Sequence, residues 1–382
     1  MVDGWQDNEP GNEQKTDTKT VLSLVKTFAS KTLEIYGDIS GSQGQTRPHS
    51  TVVRGGSSAA RGKRGVFPEQ VFDTPIICSD FTLFIGFCIS FLPIPGLWRG
   101  VVLELNLGIR AHDIEKDSLE ELTKEIARKG LSAVQLALAK SFKDKNTAPG
   151  SFSPGYAKHI RDAFQKENLE IAVLGCYIHM IHPDKKIRRK ELERFKEHIR
   201  YARDFGCSIV GTETGNVSAK MGYNEDNFKE KPFLEVVDSV KELVEEAEKF
   251  GVIVGIEGGI NHPVHSPQVM KRLLDSIDSN NLQVIFDPAN FMDMDNYQRQ
   301  EEVFEEAMEL FGDRIVIVHA KDFIIENNWI KMVPVGTGML NYDAIFKLLK
   351  QRKPHIHVLL ENTREPYIDQ SIKFLRKKYA EA

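Results

Sequence analysis

Residues 252–290 read VIVGIEGGINHPVHSPQVMKRLLDSIDSNNLQVIFDPAN, and this stretch constrains the fold more than any other. Two short apolar, β-branched runs each stop at a carboxylate: residues 253–256 at Glu257, and residues 282–286 at Asp287. Between them, residues 266–275 follow a helical pattern with Pro267 in the first turn, so the stretch is one β-α-β unit. Uninterrupted apolar strands of this kind belong to parallel sheets buried on both faces, which puts both acids at the same end of the sheet. The pattern continues downstream, where residues 315–318 end at His319 and residues 358–360 end at Glu361. Four consecutive strands are therefore expected to deliver Glu, Asp, His and Glu to one mouth.

Read from residue 101, the chain is a series of strand–helix pairs with short connections. The first is 103–109 with 118–129, where Ser118 and Glu121 form a capping box and Gly130 lies past the end. The next three are 133–138 with 155–167, 171–177 with 189–205, and 208–212 with 233–250. The last four are 253–256 with 266–275, 282–286 with 301–311, 315–318 with 341–351, and 357–360 with 366–379. Eight such units over residues 101–382 predict an α/β fold of one domain, a (β/α)8 TIM barrel. An open doubly wound sheet would show a glycine-rich phosphate turn after its first strand, and GIRAHD at 108–113 is not one.

Residues 1–100 have a different texture and are expected to form a largely disordered extension. Residues 3–64 are polar and rich in Gly, Ser, Thr and Gln, with only a weak helical pattern at 21–36. Residues 81–98 are uncharged and follow the basic Arg61, Lys63 and Arg64. Gly86, Pro93, Pro95 and Gly96 interrupt that stretch, which barely reaches bilayer length, so it reads as a leader rather than a membrane anchor. Residues 1–20 lack the apolar segment of a cleavable signal. The four cysteines, Cys78, Cys88, Cys176 and Cys207, show no paired spacing, and Cys176 and Cys207 read as buried packing residues. A reducing, cytoplasmic setting is the simplest reading. The formal net charge of -5 argues against binding to a nucleic-acid backbone, while oligomerisation stays open.

The strand-end polar residues are Glu213, Glu257, Asp287, His319 and Glu361, with His112 and His179 just beyond strands one and three. Three carboxylates and an imidazole in one cavity repel one another and are costly to desolvate unless a positive charge sits between them. One divalent metal ion supplies that charge. Oxygen-rich ligation with one nitrogen favours Mn2+, Mg2+ or Co2+, with Zn2+ also admissible.

GIEGG with Glu257, FDPAN with Asp287, VHAKD with His319, VGTG at residues 335–338 and LLEN with Glu361 carry a family resemblance. Over roughly residues 103–379 the chain resembles the sugar phosphate isomerase/epimerase branch of the xylose-isomerase-like TIM-barrel superfamily. The resemblance implies that Glu257, Asp287, His319 and Glu361 hold one divalent metal. It also implies that Glu257 and Glu361 are the catalytic acid–base pair, removing and returning a proton next to a carbonyl through an enediolate. The implied substrate is a small sugar, sugar phosphate or cyclitol. Ketose epimerases of this kind carry a histidine three residues after the metal-binding aspartate; here that place is Asn290, whose amide would contact a substrate hydroxyl instead.

Further substrate-binding candidates are Glu213, His179, His262, His265 and Lys321, each set against a bland alternative. The histidines could be rim residues bonded to loop backbone, and Glu213 could be a buried structural acid. Lys321 at the mouth would stabilise an enediolate oxygen or bind a carboxylate or phosphate. Asp322 would salt-bridge at the rim or orient His319. His182 and Arg364 read equally well as surface residues. Three rival functions share the barrel. A zinc AP endonuclease would need a histidine where Asn290 stands and an Asp-x-His where Ile330 and Met332 stand. A cyclitol or sugar dehydratase would use the same metal and the same first proton abstraction. A non-catalytic sugar-binding barrel would not need all four ligands.

Overall fold

The parallel strands close on one another in the order β1-β10-β7-β6-β5-β4-β3-β2. The structure, a computed structural model, describes residues 104–142 and 147–382. The expectations for residues 1–100, including the apolar stretch at 81–98, lie outside the described residues. The barrel strands are β1 (Asn106–Arg110), β2 (Ala133–Leu136), β3 (Glu170–Gly175), β4 (Ile209–Glu213), β5 (Ile253–Glu257), β6 (Leu282–Phe286), β7 (Ile315–Ala320) and β10 (His357–Leu360). Among the described residues no helix is long and apolar enough to cross a membrane.

The expected strand–helix alternation is present, because local signals and burial agree at each unit. Ser118 Oγ accepts the Glu121 N–H at 3.2 Å at the start of helix Leu119–Arg128, whose Leu122 and Ile126 are buried against the sheet. Ser266 caps helix Pro267–Ser276 in the same way, with Pro267 in the first turn. Helix Glu230–Phe250 ends at Gly251, whose φ of 61° is the left-handed conformation that closes a helix.

The side chains inside the barrel form a small layer of their own: Ala133, Ala172, Val173, Ile209, Ile285, Ile317 and Leu359. Glycine fits where this layer is crowded, since a Cβ on Gly211 would stand 2.6 Å from Ile285 Cδ1. With that floor filled, polar side chains at the strand ends are held above it. In the β4–β5 register Glu213 lies directly beside Glu257.

One element departs from the simple repeat. After β7 an antiparallel hairpin projects, β8 (Asp322–Glu326) paired with β9 (Trp329–Val333). Its turn residues Asn327 and Asn328 have φ of 52° and 61°, the two-residue geometry that matches strand twist, and asparagine tolerates it. Ile330 and Met332 belong to this hairpin.

Candidate metal centre

The final residue of β5, the residue after β6, the fifth residue of β7 and the residue after β10 meet at one point. Glu257, Asp287, His319 and Glu361 are all buried, and each offers a ligand atom within 4.8 Å of the others. His319 Nδ1 lies 2.7 Å from Glu361 Oε2 and 3.2 Å from Glu257 Oε2. Three buried atoms face one another here: Asp287 Oδ2, with Lys321 Nζ 2.8 Å away, and His319 Nδ1 and Glu361 Oε2, 2.7 Å apart. Carboxylate and imidazole donor atoms crowded this closely suit a cation shared between them, so the donor set fits a divalent metal.

The surroundings fix which atoms face inward. His319 Nε2 pairs with Gln135 Oε1 at 2.8 Å, and Gln135 Nε2 in turn donates to the Tyr177 hydroxyl at 2.7 Å. An amide oxygen facing Nε2 requires the proton there and leaves the Nδ1 lone pair for the cluster. Asp287 Oδ1 accepts the N–H groups of Ala289 and Asn290 at 3.0 and 3.2 Å, which leaves Oδ2 turned to the centre. Glu257 Oε1 accepts the Asn290 amide at 2.7 Å. Glu361 Oε1 is gripped by Arg110 Nη1 at 2.6 Å and Lys321 Nζ at 2.8 Å, with Oε2 left toward His319. Arg110 is itself held by Asp113, through Nε at 2.9 Å and Nη2 at 3.1 Å, and its Nη2 also donates to Asn362 Oδ1 at 2.7 Å.

Electrostatics follow from this crowding. Burial pushes the Asp287 carboxyl up to about 6 even with Lys321 beside it. Burial works against the charge on Glu361 as well, yet Lys321, His319 and Arg110 hold it well below the usual carboxylate range. Burial also opposes a charged His319, but Glu257 and Glu361 raise the imidazole to about 10. The position that attracts a proton so strongly is the one that a cation would take.

The remaining candidates fall into two groups. Asn290 and Lys321 are part of the cluster. The Lys321 ammonium is buried and reaches Asp287 Oδ2 at 2.8 Å, Asn290 Oδ1 at 3.0 Å and Glu257 Oε1 at 3.5 Å, inside the carboxylate group rather than at an open rim. Glu213 stands beside Glu257, with its carboxylate 3.9 Å from His262 Nε2; burial and the Glu257 charge raise its pKa. His262 Nδ1 is anchored on the Gly215 carbonyl at 3.0 Å. His179 and His265 are held in loops and do not touch the four-residue cluster. His179 Nε2 meets the Ser218 carbonyl, and His265 meets the Pro263 carbonyl and packs on Phe228.

Asp322 makes neither a rim salt bridge nor a contact with His319. It accepts four backbone N–H groups, from Phe323, Gly336, Gly338 and Leu340, and so ties the VGTG turn to the hairpin. A Cβ on Gly338 would meet Asp322 Oδ1 at 2.3 Å, which is why that turn is glycine there. Arg110, Asp113 and Gln135 were not expected at the site. Their one signal is position: Arg110 ends β1, Asp113 closes the turn after it, and Gln135 stands one residue before the end of β2.

The sequence profile described as xylose isomerase-like TIM barrel matches residues 123–378. A 3-oxo-isoapionate decarboxylase from Pectobacterium atrosepticum is 27% identical over 126 residues, 31% of this chain and 42% of the relative, so the match spans less than half of that enzyme. A solved D-tagatose 3-epimerase-like protein superposes with a TM-score of 0.56 at 20% identity, covering 72% of this chain and 97% of that one. The IOLI protein, solved with a bound zinc atom, superposes with a TM-score of 0.55 at 18% identity over 72% of this chain and 97% of that one. At these identities the superpositions show a shared fold.

Proposed function

Because the chain belongs to the xylose isomerase-like TIM barrel family, we propose that it isomerises or epimerises a small polyhydroxy carbonyl compound. The substrate is a sugar, sugar phosphate or cyclitol, and Glu257, Asp287, His319 and Glu361 hold one divalent cation. The observation that carries this reading is the meeting of four buried ligand atoms within 4.8 Å of one another. The epimerase-like and zinc-bound proteins of the same fold support it. The donor set favours Mn2+, Mg2+ or Co2+, and zinc also fits.

When bound, the cation supplies Lewis-acid polarisation of a carbonyl oxygen, which acidifies the neighbouring C–H. The protein moves the proton. Glu257 takes it, since its Oε1 is bonded by the neutral Asn290 amide at 2.7 Å and lies farther from Lys321, at 3.5 Å, than the Glu361 oxygen does, at 2.8 Å. Glu361 returns it on the opposite face. Lys321 keeps the three carboxylates together and their geometry fixed. Both described cysteines are buried and free, in keeping with a cytoplasmic setting.

Substituting Glu257→Gln or Glu361→Gln tests the reading. Each variant is expected to keep the wild-type circular dichroism spectrum, to bind Mn2+ at least about tenfold more weakly, and to lose solvent-deuterium incorporation into substrate. A panel of ketoses, aldoses and inososes followed by mass spectrometry provides the substrates. Wild-type exchange in either variant contradicts the assignment, and release of water from the substrate in place of exchange identifies a dehydratase.

A further inference from the structure

We propose that Lys140 recognises an anionic group, a carboxylate or a phosphate, on the compound that this site takes; the inference names the substrate class within the reading above and rests on it. Lys140 lies in the short helix Leu138–Ser141 that follows β2, and its ammonium sits 3.6 Å from the centre of the Tyr177 ring. Among the described residues no carboxylate comes within ion-pairing distance of it. The ring under it is fixed, because the Tyr177 hydroxyl accepts from Gln135, which holds His319. His112 stands edge-on to the same ring at 6.1 Å, with a buried Nδ1 that has no partner. Burial and the nearby Arg110 push that imidazole down to about 4, so it stays a neutral polar group at ordinary pH.

Lys140, His112, Arg110 and Arg364 line one cavity of about 1300 Å³. Arg110 connects it to the cluster through its 2.6 Å contact with Glu361. The cations nearest the four-residue cluster are already engaged, and Lys116 and Lys124, which also line this cavity, are exposed. Lys321 lies against Asp287 and Glu361, and Arg110 against Asp113 and Glu361. With a divalent ion bound, these two positive side chains balance Glu257, Asp287, Glu361 and Asp113, so that group does not need Lys140 for its charge balance. Glu213, whose charge Lys140 feels most strongly, is not in contact with it and faces His262.

Four acids also line this wall: Glu125 meets Arg128 at 2.6 Å, Glu115 lies 3.9 Å from Arg364, and Asp117 and Glu121 are exposed to water. A second cavity of about 1350 Å³, toward the loops after β5 and β6, is lined by Asp293, Asp295, Glu302, Glu305 and Glu306 with Arg299 facing them. Fields of opposite sign on two sides of one rim orient a molecule that carries a single negative end. Lys140 is an exposed residue, and its ammonium seated on the Tyr177 ring is held in place to meet an anion that enters the cavity.

Isothermal titration of the full-length protein loaded with Mn2+, using D-fructose, D-fructose 6-phosphate and 5-keto-D-gluconate, tests this directly. The expected result is that at least one anion binds about tenfold or more tightly than D-fructose. Lys140→Ala should remove that preference while leaving D-fructose within about twofold, and Lys140→Arg should restore most of it. Whichever anion binds tighter separates phosphate from carboxylate. Binding of D-fructose as tight as both anions, no binding by any of the three, or an intact preference in Lys140→Ala overturns the assignment. Titrating Mn2+ alone, and repeating the sugar titrations on metal-free protein, keeps the two readings apart. Absent Mn2+ binding sinks the metal centre, whereas an anion preference that depends on Lys140 in either form supports the lysine.

Discussion

The two oxygens of Glu361 are not equivalent. Oε1 lies between Arg110 and Lys321 at 2.6 and 2.8 Å, and Oε2 is the atom that faces His319. Arg110 thus decides which oxygen meets the cluster. Both Arg110 and its clamp Asp113 are buried, so removing the guanidinium leaves Asp113 with only the exposed Arg364 at 3.4 Å and the Asn362 N–H at 3.1 Å. Arg110→Met is therefore expected to cost about 3–5 kcal/mol in urea unfolding, with Arg110→Lys recovering part of it. A loss below about 1 kcal/mol would mean that water already screens the pair. At this scale the four strand-end ligands were legible, because a parallel strand ending in a polar residue has only one rim to deliver it to. Lys321 was legible as a residue but not as a member of the cluster. The missed signal is its spacing: it follows His319 by two positions, and alternate residues of a strand share a face. Arg110 and Gln135 could not be read locally, since each acquires its role from a partner 251 or 184 residues away.

Among the elements, helix Lys185–Tyr201 carries a test that is independent of the site. His198 is buried on it, with Nδ1 against the Arg194 carbonyl at 2.8 Å and its ring edge-on to Phe152 at 4.8 Å. Burial lowers its pKa from 6.5 to about 4. A depressed folded-state value means that its contribution is complete above pH 6.5 and is lost as the pH falls from 6.5 toward 4, because only the unfolded chain takes up the proton. The window is worth about 3 kcal/mol. His198→Gln should flatten the pH dependence of the urea midpoint between pH 4 and 7; parallel curves for the two proteins would show that another group controls the loss. The hairpin β8–β9 is the element that the eight-unit reading omits. Its signal was an Asn-Asn pair between two alternating stretches, DFIIE and WIKMV, but the short apolar runs were absorbed into a connection once eight strands had been counted.

For the whole molecule, the barrel seam lies between β1 and β10, where Asn106 pairs with His357 and Ile109 with Leu360. Every strand of the ring lies at or after residue 106. Deleting residues 1–100 is accordingly expected to leave the melting temperature within about 2 °C and metal binding unchanged. Aggregation of the shortened chain would show that the extension covers part of the barrel. The (β/α)8 class was legible from periodicity and repeat count alone, whereas the basic and acidic walls of the mouth depend on which loops end up side by side.

The seam has a further consequence for how the chain is born. Glu361 follows β10, the last barrel strand in chain order, and that strand must enter between β1 and β7, its neighbours in the finished ring. A ribosome-bound fragment ending before residue 357 can assemble seven staves but has neither the eighth nor the fourth ligand. An ion that needs all four would then discriminate between a closed barrel and an unfinished one, and would add its binding free energy only after translation has passed the eighth barrel strand.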